Sequence, residues 1–468
     1  MTEQKTPTRW KAPRRGALAL ALALLASWLA PAGAPAAEKA IWSQPELPGG
    51  GSPFPAYERL GVDTLQLSVD FSSVAPKRPA NPTDPDDPAY RWPELLDTQV
   101  RDAVRYDINP ALLVISSPPW ANGGRPANHA PRPRAFAAFL TAASHRYPAV
   151  RRWMIWGEPN RGERFQPNAR DSPVGPRAYA LILDSAYAAL KKVSRRNIVI
   201  GGMSWTSGLV KPARWLRYLR LPNGRPPRLD WYGHNPFPFR FPDLSEPPLA
   251  GGFRDISDLD TMEKELRRTY ARKCNRDERR RGITRCGRRP RLWLSEFTIQ
   301  SDHGSRSFAL VVSRADQARW LRAAYRIADQ LPSVAGLGWF RLLDEPEGTL
   351  NEHWGLLTDL GKMKPAGNAY LRAPAVRFRP RVATAARPAR AVMARRGLGV
   401  SVRPRAAGTV RVTLRPAGES DRLVRSRAGR PGRTIRFRFR PARPRSGAFA
   451  LTVQAARGET VRRVITVR

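Results

Sequence analysis

What most limits the folds open to this chain is an alternation between residues 41 and 374. Short apolar runs give way, eight times over, to stretches of helical periodicity. Runs at 62–69, 111–115, 153–157, 198–203, 229–233, 292–296 and 334–340 read as strands, and Ile41-Trp42 with its neighbours supplies one more. They are almost continuously apolar, as strands are when a parallel sheet is covered on both faces. Between them, Phe136, Leu140, Ala143 and Tyr147 recur at helical spacing. Leu259, Met262, Leu266 and Tyr270 line a helix started by Ser257 or Asp258, and Ala318, Leu321, Tyr325 and Ala328 follow a Ser313 cap with Asp316 at the third position after it. Eight strand–helix units over some 330 residues are what a (β/α)8 barrel, the TIM barrel, requires. A doubly wound open sheet is the alternative, but no Gly-rich phosphate fingerprint follows a first strand.

Both ends of the chain differ from this middle. Lys5, Arg9, Lys11, Arg14 and Arg15 precede an apolar run at 17–30 and a small-residue segment from Pro31 to Ala37. That order is the tripartite pattern of a secretory signal peptide, 1–37, cut after Ala36 or Ala37. The run is short for a membrane span, which needs about 20 residues, so an uncleaved anchor is the lesser reading. The expectation is an exported protein, secreted or associated with the cell envelope. Cys274 and Cys286, the only cysteines, then read as a disulfide closing a local loop. With no His cluster beside them they make a poor metal site.

From 375 to 468 the period becomes two. Val410, Val412 and Leu414 alternate with Arg411, Thr413 and Arg415. Ile435, Phe437 and Phe439 alternate with Arg436, Arg438 and Arg440, and Phe449, Leu451 and Val453 form a third run. This predicts a small antiparallel β-sandwich with arginine on its wet face, after a barrel domain at 38–374. The whole chain carries +42, from 81 Lys or Arg against 39 Asp or Glu, and about half of that charge, +22, lies in the sandwich. Such a balance first suggests nucleic acid. However, 70 of the 81 cations are Arg, in a chain also rich in Ala, Pro and Gly, which is the mark of GC-rich coding. No nucleic-acid partner is expected. The module is either a solubilised surface or a grip on an acidic cell-envelope polymer.

Two glutamates stand where an apolar strand becomes a loop. Glu158 closes Trp153-Met154-Ile155-Trp156-Gly157-Glu158 and is followed by Pro159, which has no amide hydrogen for a ladder. Glu296 closes Leu292-Trp293-Leu294-Ser295-Glu296. Counted from Ile41 these are the ends of the fourth and seventh strands, at the barrel face where active sites are built. One strand-end Glu reads most simply as a salt-bridge partner. Two that face each other across one mouth suggest paired-carboxylate chemistry.

The Trp-Gly-Glu-Pro-Asn stretch and the later Trp-Leu-Ser-Glu-Phe resemble the two signatures of clan A glycoside hydrolases, of the family 39 and family 5 retaining type. The resemblance takes in Pro118-Pro119-Trp120-Ala121, Gly233-His234-Asn235-Pro236-Phe237 and Gly338-Trp339-Phe340, and so most of 41–374. It implies that Glu158 is the acid/base and Glu296 the nucleophile in cleavage of a β-type linkage. Retention places two such carboxyls about 5–5.5 Å apart, and inversion about 6.5–9.5 Å. Glu158 would be protonated and Glu296 ionised, with no metal or organic cofactor, because side chains supply both proton transfer and attack. Asn160, His234, Asn235, Trp120 and Trp339 are the expected sugar contacts, with Trp231 a further aromatic candidate and Asp70 either a hydroxyl ligand or a helix cap. One departure stands out. Gly157 occupies the place of an Asn that binds the sugar 2-hydroxyl in the clan, and this keeps a non-catalytic carbohydrate-binding barrel as a rival reading.

Overall fold

The computed structural model describes residues 37–467 apart from 275, 281–285, 303–309, 347–348, 350–351, 374–380, 385–396, 405–407, 417–421, 431–432, 441–445 and 455–459. The expected signal peptide and the barrel–sandwich boundary fall outside the described residues. Eight parallel strands close into a barrel in chain order: β1 (Glu38–Trp42), β2 (Thr64–Asp70), β3 (Asn109–Ile115), β4 (Arg152–Ile155), β5 (Ile198–Trp205), β6 (Trp231–Asn235), β7 (Arg291–Phe297) and β8 (Val334–Trp339). β8 pairs with β1 to complete the ring. A helix follows each strand: α1 (Phe54–Leu60), α2 (Glu94–Arg105), α3 (Pro133–Arg146), α4 (Val174–Val193), α5 (Pro212–Tyr218), α6 (Leu259–Thr269), α7 (Arg314–Gln330) and α8 (Pro365–Arg372). The helices turn their apolar faces onto the ring, so the main core lies between strands and helices.

The capping expectations divide. Ser313 accepts from the Asp316 amide as its sequence position suggests. At α6 the helix is instead preceded by a tight turn in which Asp255 accepts from Ser257 N and Asp258 Oδ2 accepts from Asp255 N, so neither Ser257 nor Asp258 caps α6 with its side chain. The reason is local. Asp255 offers a carboxylate one turn earlier and takes the orphan amides first.

The barrel interior is narrow and filled. Trp293 of β7 lies across it, and its indole N–H donates to Gln66 Oε1 of β2 (3.1 Å), while Gln66 Nε2 donates to the Ser295 carbonyl (2.8 Å). β8 makes room with glycines. A Cβ on Gly336 would lie 2.3 Å from the Trp293 ring, and one on Gly338 would lie 2.2 Å from the Ser295 carbonyl oxygen. This layer fixes the last turn of β7 just below Glu296.

At the opposite end, Glu38 of β1 and Arg152 of β4 form a buried ion pair across the barrel floor, and Thr64 Oγ1 donates to the same carboxylate (2.6 Å). The expected signal-peptide cut falls immediately before Glu38.

After the barrel come two antiparallel sheets. One contains β9 (Arg381–Thr384), β10 (Leu398–Arg403) and β13 (Ile435–Phe439). The other contains β11 (Gly408–Pro416), β12 (Leu423–Gly429), β14 (Gly447–Gln454) and β15 (Thr460–Val467). Val400, Val402, Val410, Val412, Phe437, Phe439, Leu451 and Val453 from both sheets share one core, with Arg411, Arg415, Arg436 and Arg438 exposed between them. The period-two reading therefore gives the correct inner face. Cys274 and Cys286 are disulfide-bonded, with Cα atoms 5.1 Å apart.

The floor ion pair yields a test of the frame. Arg152→Met leaves the Glu38 carboxylate buried without its cation, and we expect a loss of about 3 kcal/mol in denaturant unfolding. The double substitution Glu38→Leu with Arg152→Met is expected to recover most of that loss. If Arg152→Met alone leaves the unfolding midpoint unchanged, the pair does not support the barrel.

Candidate active site

β4 ends at Ile155, three residues short of Glu158, and the chain between is strained. Trp156 and Glu158 both have positive φ, 64° and 48°, which bulky L residues seldom adopt. Two contacts hold this conformation. The Trp156 indole N–H donates to the Arg164 carbonyl (2.9 Å), and the ring packs edge-on against Phe165. Residues 158–161 then form a turn closed by Arg161 N to the Glu158 carbonyl (3.0 Å), with Pro159 at the position where its fixed φ fits. The turn brings Arg161 back onto Glu158, and its Nη1 meets Glu158 Oε2 at 2.7 Å.

The other carboxylate oxygen, Oε1, accepts from Asn235 Nδ2 (3.0 Å) at the end of β6. Asn235 Oδ1 in turn accepts from the Ser295 hydroxyl, one residue before Glu296. A continuous polar chain thus runs from β4 through β6 to β7. Asn235 and Ser295 are buried, and Glu158 nearly so. Asn235 holds the acid/base candidate, and its side chain is not free for sugar.

Glu296 lies within β7 and retains a partly exposed edge. Burial of its carboxyl, reinforced by the negative charge of Glu158, pushes its pKa up to about 8, with Arg164, Arg161 and Arg341 opposing the shift. The two carboxyls thus stand in different surroundings: the Arg161 cation lies beside Glu158, and desolvating walls surround Glu296.

The remaining candidates fall in several places. Asn160 is fully buried. Its amide donates to the carbonyls of Trp205, Ser207 and Val210, and its Oδ1 accepts from Trp205 N (2.8 Å), so it ties the β4 loop to the β5 loop instead of meeting sugar. His234 is also buried. Its Nε2 donates to the Arg254 carbonyl and its Nδ1 accepts from Ser204, both at 2.9 Å, and burial lowers its pKa to about 4, which leaves a neutral structural imidazole. Trp339 has no exposed surface; it donates to the Trp354 carbonyl and stands edge-on to Phe297. Trp120 is half-buried, with its N–H on the Ala75 carbonyl and its ring edge-on to Phe71. Trp231 begins β6 and therefore lies at the floor, stacked on Trp293. Asp70 is a helix cap, accepting from Ser73 N (2.9 Å) and from the Ser72 and Ser116 hydroxyls.

Gly157 is not required by sterics. A Cβ there would make ordinary contact with Leu113 Cδ2 (3.4 Å) and Ile115 Cγ2 (3.7 Å), so the position that the resemblance gives to an amide is bordered by apolar side chains. Neither Asn160 nor Asn235 fills that role. Residues that the sequence reading missed are Arg161, Ser295 and Trp205, the last lying under the Arg161 guanidinium at 4.4 Å. Glu-Pro-Asn-Arg as a turn, with its first and fourth side chains brought together, was the available signal for Arg161.

Among solved structures, a family 39 glycoside hydrolase from the gut symbiont Bacteroides cellulosilyticus WH2 matches with a TM-score of 0.50 at 15% identity, over 83% of this chain and 78% of that one. The fold is one that family 39 glycoside hydrolases have. A glucosidase from Croceicoccus marinus gives 0.49 at 15% identity, over 92% of this chain and 99% of that one. A family 39 beta-xylosidase from Caulobacter crescentus gives 0.46 at 14%, over 82% and 83%. No protein-family model and no curated protein matches the sequence. The family 39 likeness is one of fold, and the chemistry has to be argued from the carboxylates themselves.

Their coupling can be measured directly. Glu158→Gln removes a negative neighbour and frees Arg161, and both changes favour ionised Glu296. Its pKa is expected to fall from about 8 towards the ordinary carboxyl range in a 13C titration of labelled glutamate. A midpoint that stays near 8 would show that burial alone raises it.

Proposed function

We propose that the protein is an exported retaining glycoside hydrolase acting on a β-linked glycan or glycoside, with Glu158 as acid/base and Glu296 as nucleophile. The observation that carries this reading is the pair itself: two carboxyls at the ends of different strands, at the C-terminal end of one closed barrel, close enough for the charge of Glu158 to add to the burial that raises the Glu296 pKa. Glycosidic cleavage needs that stoichiometry, one proton between two carboxyls.

In the first step Glu158, carrying the proton, delivers it to the glycosidic oxygen as the bond to the anomeric carbon breaks. Glu296, ionised, attacks that carbon and forms a glycosyl ester. In the second step Glu158, now a carboxylate, takes a proton from water as the water oxygen attacks the anomeric carbon and displaces Glu296. Two inversions give net retention. Burial holds the Glu296 pKa up at about 8 in the free protein, and positive charge developing at the anomeric carbon stabilises its anion as the bond breaks.

The leader at 1–37 and the Cys274–Cys286 disulfide support export. The rival reading, a binding barrel without turnover, draws support from Gly157, which stands where the resemblance expects an amide side chain. Exposed Arg425, Arg427, Arg436 and Arg438 on the sandwich support a second contact with an acidic envelope polymer.

The decisive experiment is incubation with a panel of activated 2-fluoro-glycosides followed by peptide mapping. The expected result is a covalent adduct on Glu296, with Glu296→Gln abolishing both adduct and turnover. Sugar binding without any adduct or turnover would establish the binding barrel instead. The pH profile gives an independent check. Above about 8 the shared proton is gone, so kcat/KM is expected to fall as pH rises through that value.

A further inference from the structure

The acid/base in the proposed reaction touches the departing oxygen, so groups that crowd Glu158 from its own loop flank the sugar being released. Those groups are cationic and aromatic. Arg161 uses Nη1 on Glu158 and Nε on Glu163 (2.6 Å), and its plane lies 4.4 Å over Trp205. Its Nη2 makes no hydrogen bond to described residues. Three residues on, Arg164 is anchored through its backbone, its N on the Arg161 carbonyl (3.2 Å) and its carbonyl under the Trp156 indole. Its exposed guanidinium has neither an ion pair nor a hydrogen bond among the described residues. Arg341, after β8, differs in being paired with Glu345 (3.0 Å) and lying over Phe340. Among the described residues, the carboxylates facing this pair of arginines are Glu158, Glu163 and Glu296, and Glu163 is mostly exposed at the rim.

Two arginines of one turn whose charges reach the same carboxyls, one exposed and unpaired among the described residues and one half-engaged over an indole, are suited to a planar or tetrahedral oxyanion next to a sugar ring. A neutral sugar would leave the Arg164 guanidinium to water. We infer that Arg161 and Arg164 form an anion-recognising subsite on the leaving-group side of Glu158, so that the sugar released carries a carboxylate or a sulfate. This rests on the glycosidase reading above and names the class of substrate for it.

An oxyanion that engages Arg161 competes with Glu158 for the same guanidinium.

The test uses aryl β-D-glucosides and β-D-xylosides whose aglycones carry a carboxylate, a sulfonate or a neutral carboxamide, matched in phenol acidity. At low salt we expect kcat/KM for at least one anionic aglycone to exceed that for the carboxamide by about fivefold or more. Whichever of carboxylate and sulfonate gains more identifies the oxyanion. Arg164→Gln is expected to bring the ratio to about one, Arg164→Lys to keep part of it, and rising salt to shrink it. Equal kcat/KM for anionic and neutral aglycones in the native protein, or a ratio that survives Arg164→Gln and Arg161→Gln together, overturns the inference while leaving the glycosidase reading intact. If no aryl glycoside is turned over, the glycosidase reading fails first, and calorimetric binding of the same compounds to the native full chain still decides the subsite. Anionic aglycones that bind no tighter than the carboxamide overturn it.

Discussion

Desolvation of two neighbouring carboxyls, Glu158 and Glu296, is the constraint around which the C-terminal end of the barrel is arranged. Burial, reinforced by the charge of Glu158, pushes the Glu296 pKa up to about 8, and Glu158 is given Arg161 on one oxygen and the Asn235 amide on the other. The Asn235–Ser295 bond then links the two halves, so that any movement of β7 relative to β6 is felt at Glu158. The same network explains why Asn235 sits at the site without being exposed to a ligand.

Holding that arrangement requires a stiff frame. Positive φ at Trp156 and Glu158 stores on the order of 1–3 kcal/mol each, and such strain persists only where the surroundings over-determine it. Here the surroundings are the buried Trp156 ring, its N–H bond to Arg164, and Asn160 clamping the adjacent loop to β5. On the other side of the mouth, Gln66 and the two glycines of β8 fix β7 from inside the barrel. The strain and its clamps are found on the segment that presents Glu158, which is where a reactive group has to be aimed.

The eight strands were legible because each is a near-continuous apolar run, and a one- or two-residue error at an end does not change the ring. The positions of Glu158 and Glu296 followed from the same counting. The sandwich was legible from its period of two, since a single-residue slip there would bury arginine. Side-chain roles were harder to read. Asn160, His234 and Trp339 have the right composition and stand beside the right motifs, yet each is consumed by a contact with a residue distant in sequence: Trp205, Arg254 and Trp354. A linear pattern does not reveal which strand-end polar groups are already satisfied. It also hides Ser295, which looks like a small inward residue until Asn235 is placed beside it. Arg161 was missed for a related reason, since its contact with Glu158 depends on the turn that returns it to that carboxyl.

One turn therefore does two things that the sequence presents as one motif. Residues 158–161 aim the Glu158 carboxyl into the barrel mouth, and through Arg161 they also hold it there. That guanidinium is shared between Glu158 and Glu163 and lies over Trp205, so it is a point at which a ligand's own charge can be felt by the carboxyl. An anionic ligand at Arg161 would compete with Glu158 for it, whereas a neutral one would leave the pair intact. Ligand selectivity and the hold on Glu158 then have the same physical origin, the competition of two anions for one guanidinium.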